Sequence, residues 1–240
     1  MVKISERLRT AAGLIGEGER LADVGTDHGY VPIYLVEQKR IPSAIAMDIR
    51  TGPLERAREH IRMYGMEDYI QTRLSDGVAA LGPGETDSIL IAGMGGGLVI
   101  HILESGRTVC EQAHGLVLQP QSELPKVRRF LAENGYVTER EEMVMEDGKY
   151  YPMMRVHYDA SAVSHTDSFT EEQELEFRYG KQLLTEKHPV LLAYLCWEAQ
   201  IQQDILTQLS GQPATEQIAA RIDEVKQILA QNARALAYYE

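Results

Sequence analysis

Short unbroken apolar runs alternate with segments whose apolar positions recur at helical spacing through the first two thirds of the chain. A short leading helix is expected over Ile4 to Ile15, stopped by Gly16-Glu17-Gly18. The first apolar run, Leu21 to Val24, reads as a buried strand. It breaks into Gly25-Thr26-Asp27-His28-Gly29-Tyr30 and opens a helix from Val31 to Glu37. Ser43 to Met47, closed by Asp48, is the second run. Thr51-Gly52-Pro53 then starts a helix, with Thr51 as its cap and proline early in the first turn, and Gly65 stops it after Tyr64. Ile70 to Leu74 is a third strand, ending in Ser75-Asp76-Gly77. Asp87 to Ala92 is a fully buried fourth that opens into Gly93-Met94-Gly95-Gly96-Gly97 and a helix over Leu98 to Ser105. Gly115 to Pro120 is a fifth, followed by a helix from Leu124 to Glu133 that Asn134-Gly135 closes.

Such alternation predicts a parallel sheet covered on both faces. The pattern then changes. Tyr136 to Val144 and Tyr150 to Tyr158 read as two strands joined at Glu146-Asp147-Gly148, a hairpin signal. A mostly parallel sheet finished by an antiparallel hairpin is the habit of class I (Rossmann-like) S-adenosylmethionine-dependent methyltransferases. Dinucleotide-binding domains continue instead with further strand–helix units, so a nicotinamide enzyme is the disfavoured alternative. The expected first domain spans residues 1–160.

From about Phe169 the composition shifts to Glu, Gln, Leu and Ala. Leu192, Leu195, Ala199, Gln202, Leu206 and Leu209 step by three and four. Gly211-Gln212-Pro213 interrupts, and Ile218, Ile222, Val225, Leu229, Asn232 and Leu236 repeat the stepping. Two helices with matching seams predict an antiparallel coiled-coil hairpin within residues 161–240, with Gln202 and Asn232 as polar seam residues that fix register. A small bundle packed on the sheet domain is the alternative. The hairpin also offers a surface for self-association.

A chain of 240 residues accommodates one large domain and such an appendage. Cys110 and Cys196 match no metal or disulfide spacing, the start lacks an apolar leader core, and no stretch approaches a membrane-spanning length. The expectation is a cytoplasmic protein with no membrane anchor and no metal. The net charge of −12 argues against indiscriminate nucleic-acid binding. The bases are unevenly placed, however, since residues 1–160 hold 18 of the 24 Lys and Arg. Lys3, Arg7, Arg9, Arg50, Arg56, Arg58, Arg62, Lys126, Arg128 and Arg129 form three groups that either solvate helix faces or converge on one rim.

The strand ends supply the candidate chemistry. A glycine-bearing turn after the first strand of an open α/β sheet is where nucleotide-like ligands sit, and an acid about 20 residues on bonds ribose hydroxyls. Asp23 and Gly25 would face the methionine part of a methyl donor, Asp48 the ribose and Asp76 the adenine amino group. Gly93-Met94-Gly95-Gly96 would lie beside the sulfonium and the acceptor. Each acid alone reads equally as a cap or turn former. Acids at three successive strand ends favour a ligand site. The crevice by itself permits an RNA, protein or small-molecule acceptor, and it leaves open a non-catalytic binding module, against which the intact acids speak.

The run Asp23-Val24-Gly25-Thr26-Asp27-His28-Gly29-Tyr30, followed by Ala92-Gly93-Met94-Gly95-Gly96 and Leu118-Gln119-Pro120-Gln121, resembles the TrmK family, bacterial tRNA methyltransferases acting on N1 of adenine 22. The resemblance reaches the tail in Phe177-Arg178-Tyr179-Gly180-Lys181-Gln182-Leu183-Leu184 with His188-Pro189. Asp27 stands where many methyltransferases carry glycine. The Asn/Asp-Pro-Pro-aromatic signature of many amino-methylating enzymes is replaced by Gly93-Met94-Gly95-Gly96. The resemblance implies S-adenosyl-L-methionine as cofactor, held by Asp23, Gly25, Thr26, Asp27, Gly29, Asp48, Ile49, Asp76, Gly77, Gly93, Met94 and Gly95. It implies tRNA as partner, with the target base leaving its stack to reach the donor. Asp27 is the first catalytic candidate, as a carboxylate that stabilises the cationic product or accepts a proton. His28 is the second, as orienter or base, against an equal reading as a hydrogen-bonding turn residue. Gln119 is the third, as a partner for the edge of the target base. Tyr30 reads as a stacking surface or, more ordinarily, as packing. The acidic hairpin would give shape contacts to the L-shaped RNA rather than grip phosphates.

Overall fold

The apolar runs become the middle of one sheet because unbroken Val, Ile, Leu and Ala sequences are stable as strands only when both faces are covered. In this computed structural model, which describes residues 2–164, 168–213 and 215–240, five parallel strands are β1 (Leu21–Val24), β2 (Ala44–Asp48), β3 (Ile70–Leu74), β4 (Ser88–Met94) and β5 (Gly115–Pro120). The hairpin of β6 (Tyr136–Glu146) and β7 (Lys149–Tyr158) completes the sheet, with β7 antiparallel to β5, in the order β3-β2-β1-β4-β5-β7-β6. Leu21 pairs with Ala44 on one side and Ser88 on the other, so the strand order reverses at β1. That reversal opens a crevice at the carboxyl ends of β1 and β4.

Side-chain alternation along the strands builds two apolar layers. Ala22, Val24, Ile45, Met47, Ile89 and Ile91 face one way, onto α4 (Gly96–Ser105) and α6 (Leu124–Glu133) through Val99, Ile102, Val127 and Leu131. Leu21, Ala44, Ala46 and Leu90 face the other way, toward α1 (Glu6–Gly13) and α2 (Tyr30–Glu37), with Ile61 of α3 (Thr51–Met63) in the same cluster. A short α5 (Arg107–Cys110) follows α4.

Two element starts differ from the sequence reading. The cap of α3 is Arg50 in extended conformation, not Thr51, because the Asp48 carboxylate accepts the Arg50 N–H at 2.7 Å and turns the chain one residue earlier. The fourth strand runs past Ala92 to Met94 through a register shift, with Gly93 at φ 79°. The helix after it then starts at Gly96. The free N–H groups of Gly96 and Gly97 donate to Ser122 Oγ at 3.2 Å and Glu123 Oε2 at 3.0 Å, which ties the β4–α4 turn to the β5–α6 turn.

The chain divides into two compact units, Met1–Asp167 and Ser168–Glu240. The second unit is helical. Its long pair, α9 (Pro189–Ser210) and α10 (Glu216–Leu236), packs as a hairpin. Two shorter helices that the sequence did not signal precede it: α7 (Glu171–Tyr179), which packs against α10, and α8 (Lys181–Thr185). Leu191, Leu195, Val225 and Ala235 are buried along the pair, as is Glu198, 5% exposed. Burial pushes the Glu198 carboxyl up, but hydrogen bonds from Asn232 and Tyr179 and the Arg178 guanidinium outweigh it and hold it below the usual range. Asn232 Nδ2 donates to Glu198 at 3.0 Å and to Leu195 O at 2.9 Å, while Gln202 is only half-buried and its carbonyl oxygen has no partner among the described residues. Among the described residues no helix is long and apolar enough to cross a membrane.

Replacing Asn232 with Leu removes a donor shared by a buried carboxylate and a backbone carbonyl. Unfolding free energy should fall by about 2 kcal/mol. Urea denaturation followed at Trp197, the lone tryptophan and a residue of α9, measures this, and an unchanged midpoint would contradict it.

Candidate active site

The turn after β1 is built for close approach. Gly25 and Gly29 have φ of 79° and 68°, values at which a side chain is strained, and a Cβ on Gly25 would collide with Met94 Cε. The N–H groups of Gly25 and Thr26 both donate to Met47 O at 2.8 Å, which pins the turn over the end of β2. Thr26 Oγ1 accepts the Gly29 N–H at 3.2 Å and hydrogen-bonds to the Asp23 carboxyl, so one hydroxyl links the start of α2 to the acid on β1.

These elements frame a cleft of about 330 Å³ lined by Asp23, Gly25, Thr26, Asp27, His28, Gly29, Tyr30 and Gly93, and also by Arg7 and Gln121. A larger cavity of about 560 Å³ lies elsewhere, lined by residues such as Ile41, Pro42 and Tyr69 that precede β2 and β3. It sits at the amino ends of the strands, away from the glycine turns. Strand polarity, not volume, locates the candidate site.

Asp23 is 8% exposed, and burial, reinforced by Asp48, pushes its carboxyl up to about 6 despite the Thr26 hydrogen bond. Asp27, four positions on, is displaced the opposite way. Its exposed carboxylate is held by Arg56 Nη2 at 2.5 Å, and that contact lowers it below the usual range. His28 Nε2 lies 3.4 Å from the other Asp27 oxygen, and its ring stacks 5.1 Å from both Tyr30 and His60. His28 Nδ1 is buried and has no hydrogen-bond partner among the described residues.

The remaining expected residues sit outside the cleft lining. Asp48 is buried at the end of β2, next to Ile49, which is 59% exposed. Asp76 is exposed after β3, and Gly77 packs against Ile102. These residues follow the carboxyl ends of β2 and β3, the strand ends at which the ribose and adenine of a donor are expected. Met94 and Gly95 lie at the end of β4 above Gly25.

Gln119 requires a correction. Expected at the rim against the target base, it is fully buried, and its carbonyl oxygen accepts from Arg7 Nη1 at 2.8 Å and from the Gly93 N–H at 3.1 Å. It holds the Gly93 bulge in place and has no free acceptor to offer a base at that oxygen. Arg7 and Gln121 are the polar lining residues that sequence reasoning missed. Gln121 stood in the quoted Gln-Pro-Gln run, whereas Arg7 looked like one of several surface bases, and only the packing of α1 brings it to the cleft.

The side chains present fit S-adenosylmethionine. An acid desolvated by burial and a guanidinium with no carboxylate partner among the described residues face one cleft, matching a ligand that carries both charges at its amino-acid end. The glycine cradle admits backbone-close contact, and a carboxylate at the end of β2 suits a ribose diol.

A family model described as a methyltransferase domain matches residues 4–154. The chain is 34% identical over 226 residues, 93% of each protein, to the tRNA (adenine(22)-N(1))-methyltransferase of Bacillus subtilis (strain 168). Its structure is similar to that of the B. subtilis m1A22 tRNA methyltransferase TrmK, with a TM-score of 0.82 and 31% identity over 98% of this chain and 99% of that one. It is also similar to a Streptococcus pneumoniae protein solved in complex with S-adenosyl-L-methionine, with a TM-score of 0.78 and 31% identity over 95% of this chain and 100% of that one. With a methyltransferase-domain model over residues 4–154 and these relatives matched along nearly its whole length, the chain belongs to the TrmK family of tRNA (adenine-22 N1)-methyltransferases.

Proposed function

We propose that this protein transfers the methyl group of S-adenosylmethionine to N1 of adenine 22 in tRNA. The observation that carries the reading is the cleft at the β1–β4 reversal, where a desolvated acid, a guanidinium and three positive-φ glycines meet. Membership of the family supplies the acceptor. The donor contributes a methyl group already activated on a sulfonium.

The chain's own residues then have a limited task, because adenine N1 has an available lone pair. Asp23 faces the cationic end of the donor. Asp48 takes the ribose diol, while Ile49, Asp76 and Gly77 border the adenine. Gly93, Met94 and Gly95 shape the boundary between donor and acceptor, so that the reacting atoms lie in line with water excluded. Asp27, kept ionised by Arg56, sits at the mouth of the cleft where methylation leaves a cationic base, and stabilises that charge. His28, stacked on Tyr30 and His60 with Nε2 toward Asp27, orients that carboxylate. Arg50, Arg56, Arg58 and Arg62, on and beside α3, offer a basic face for RNA phosphates. The acidic C-terminal unit contributes shape contacts to the tRNA. A tRNA substrate and unbridged Cys110 and Cys196 support a cytoplasmic location.

Incubation with labelled donor and unmodified bacterial tRNA should yield 1-methyladenosine, lost when adenine 22 is changed. Label at another nucleoside, or none despite donor binding, would refute the acceptor. In the same assay a chain cut after Asp167 should lose tRNA methylation while keeping its donor affinity.

Asp27→Ala should lower kcat about 100-fold with donor affinity little changed. Retention of full kcat would remove Asp27 from the mechanism.

Asp23 generates a linked pair of outcomes. Its folded-state carboxyl, at about 6, is above the unfolded value of 3.8, so its contribution favours folding at pH below about 4 and is lost as pH rises through 6. A displacement of that size is worth about 3 kcal/mol. Asp23→Asn should therefore raise the thermal midpoint at pH 7.5 and not at pH 4, while donor affinity collapses. In the unaltered protein, affinity for the cationic donor should climb between pH 5 and 7. A flat pH profile, or a variant no more stable at pH 7.5, would contradict this.

A further inference from the structure

Gln121 lines the cleft with a fixed backbone and an uncommitted side chain. It follows β5 directly, and its N–H donates to Met94 O at 2.8 Å. The next two residues are tied to the same turn, Ser122 through the Gly96 N–H and Glu123 through the Gly97 N–H. Residues 121–123 are therefore held against the end of β4. The Gln121 side chain is exposed, and its amide has no hydrogen-bond partner among the described residues. A Cβ on Gly93 would meet Gln121 Nε2 at 3.8 Å and Arg7 Nη1 at 3.9 Å, with nothing nearer. The amide thus borders bare Gly93 backbone, in the stretch that separates donor from acceptor.

The reaction restricts how an adenine can be held there. N1 supplies the lone pair for the new N–C bond, the S–C pair leaves with sulfur, and the positive charge passes from sulfonium to base. A hydrogen bond at N1 would block the attack. Recognition falls to the opposite edge, where the N6 amino group donates and N7 accepts. A primary amide, with its acceptor and donor side by side in one plane, matches that edge. As N1 becomes cationic the N6–H grows more acidic, so a carbonyl oxygen on it holds the transition state more tightly than the ground state.

The other polar side chains of the lining are engaged or unsuited. Arg7 only donates, and Gln119 holds it. Thr26 bonds Gly29 and the buried Asp23. Asp27 is taken by Arg56, while His28 turns Nε2 to Asp27 and buries Nδ1. Tyr30 carries a single hydroxyl on a ring stacked with those of His28 and His60.

We propose that Gln121 reads the target adenine, Oε1 accepting from N6 and Nε2 donating to N7, so that N1 is left free toward the donor methyl. This rests on the reading of the protein as an adenine-N1 methyltransferase. Guanine presents two acceptors to the same amide and carries hydrogen on N1, so it is rejected at both edges.

The test compares kcat/KM of the full chain on two tRNAs that differ only at position 22. One carries adenosine and the other 7-deazaadenosine, which keeps N1 and N6 but has C–H in place of N7. The unaltered protein should use the second about 5-fold less efficiently, the effect of one neutral hydrogen bond. Gln121→Ala should lower kcat/KM on adenosine about 5- to 150-fold, the span of a bidentate amide–adenine contact, and should no longer distinguish the two tRNAs. Gln121→Glu should invert the order, because a carboxylate still accepts from N6 but opposes the N7 lone pair, which the C–H removes. Affinity for S-adenosylhomocysteine, read by calorimetry, should be little changed in both variants. A penalty for 7-deazaadenosine that survives in Gln121→Ala would overturn the proposal, as would full activity of that variant or indifference of the unaltered protein to N7. Collapse of S-adenosylhomocysteine affinity would assign Gln121 to the donor and overturn it too. No methylation of adenosine 22 by the unaltered protein would instead refute the acceptor, and the proposal with it.

Discussion

The candidate site hangs on one carbonyl. Met47 O accepts the N–H groups of both Gly25 and Thr26, and this double bond to the end of β2 lets the chain leave β1 in a left-handed turn rather than continue along the sheet. Thr26 is thereby placed under Asp23 and Gly29, and α2 begins one residue later from Gly29. Of the two residues between, Asp27 is exposed and His28 stacks on Tyr30 and His60. A turn so anchored costs little to hold when ligand arrives, which is the condition for positioning to contribute to rate.

Two carboxylates four positions apart in that turn are driven in opposite directions by their surroundings. Asp23 is pushed up by burial, while Asp27 is pulled down by Arg56 at the protein surface. Neighbouring acids displaced apart in this way are suited to different work. The buried one carries a desolvation cost at neutral pH that a neighbouring cation would offset. The exposed one has its charged form favoured by the guanidinium beside it.

The C-terminal unit solves a different problem. Long helices with an apolar seam can slide by a turn, and a single buried carboxylate with several required partners penalises every register but one. Glu198 has Arg178, Tyr179, Tyr194 and Asn232 around it, drawn from three helices. The network therefore defines where α7 meets the α9–α10 pair as well as how that pair aligns.

The sequence by itself determined the strands, the glycine turns, the terminal hairpin and the long helical pair, because each rests on local periodicity or on backbone conformations that few residues tolerate. Leu21 to Val24 and Gly25 could be read without knowing any partner. Asp48 was legible as the acid ending β2, though its bond to the Arg50 N–H, which displaces Thr51 as cap, was not. What only the tertiary structure decided depends on residues distant in the chain. Arg7 and Gln119 acquire their roles from each other across the sheet, and Glu198 from a helix that no periodicity signalled. A charged or amide side chain reads the same in sequence whether it meets solvent or a partner, and the energy that separates the two cases arises only when the fold removes the water.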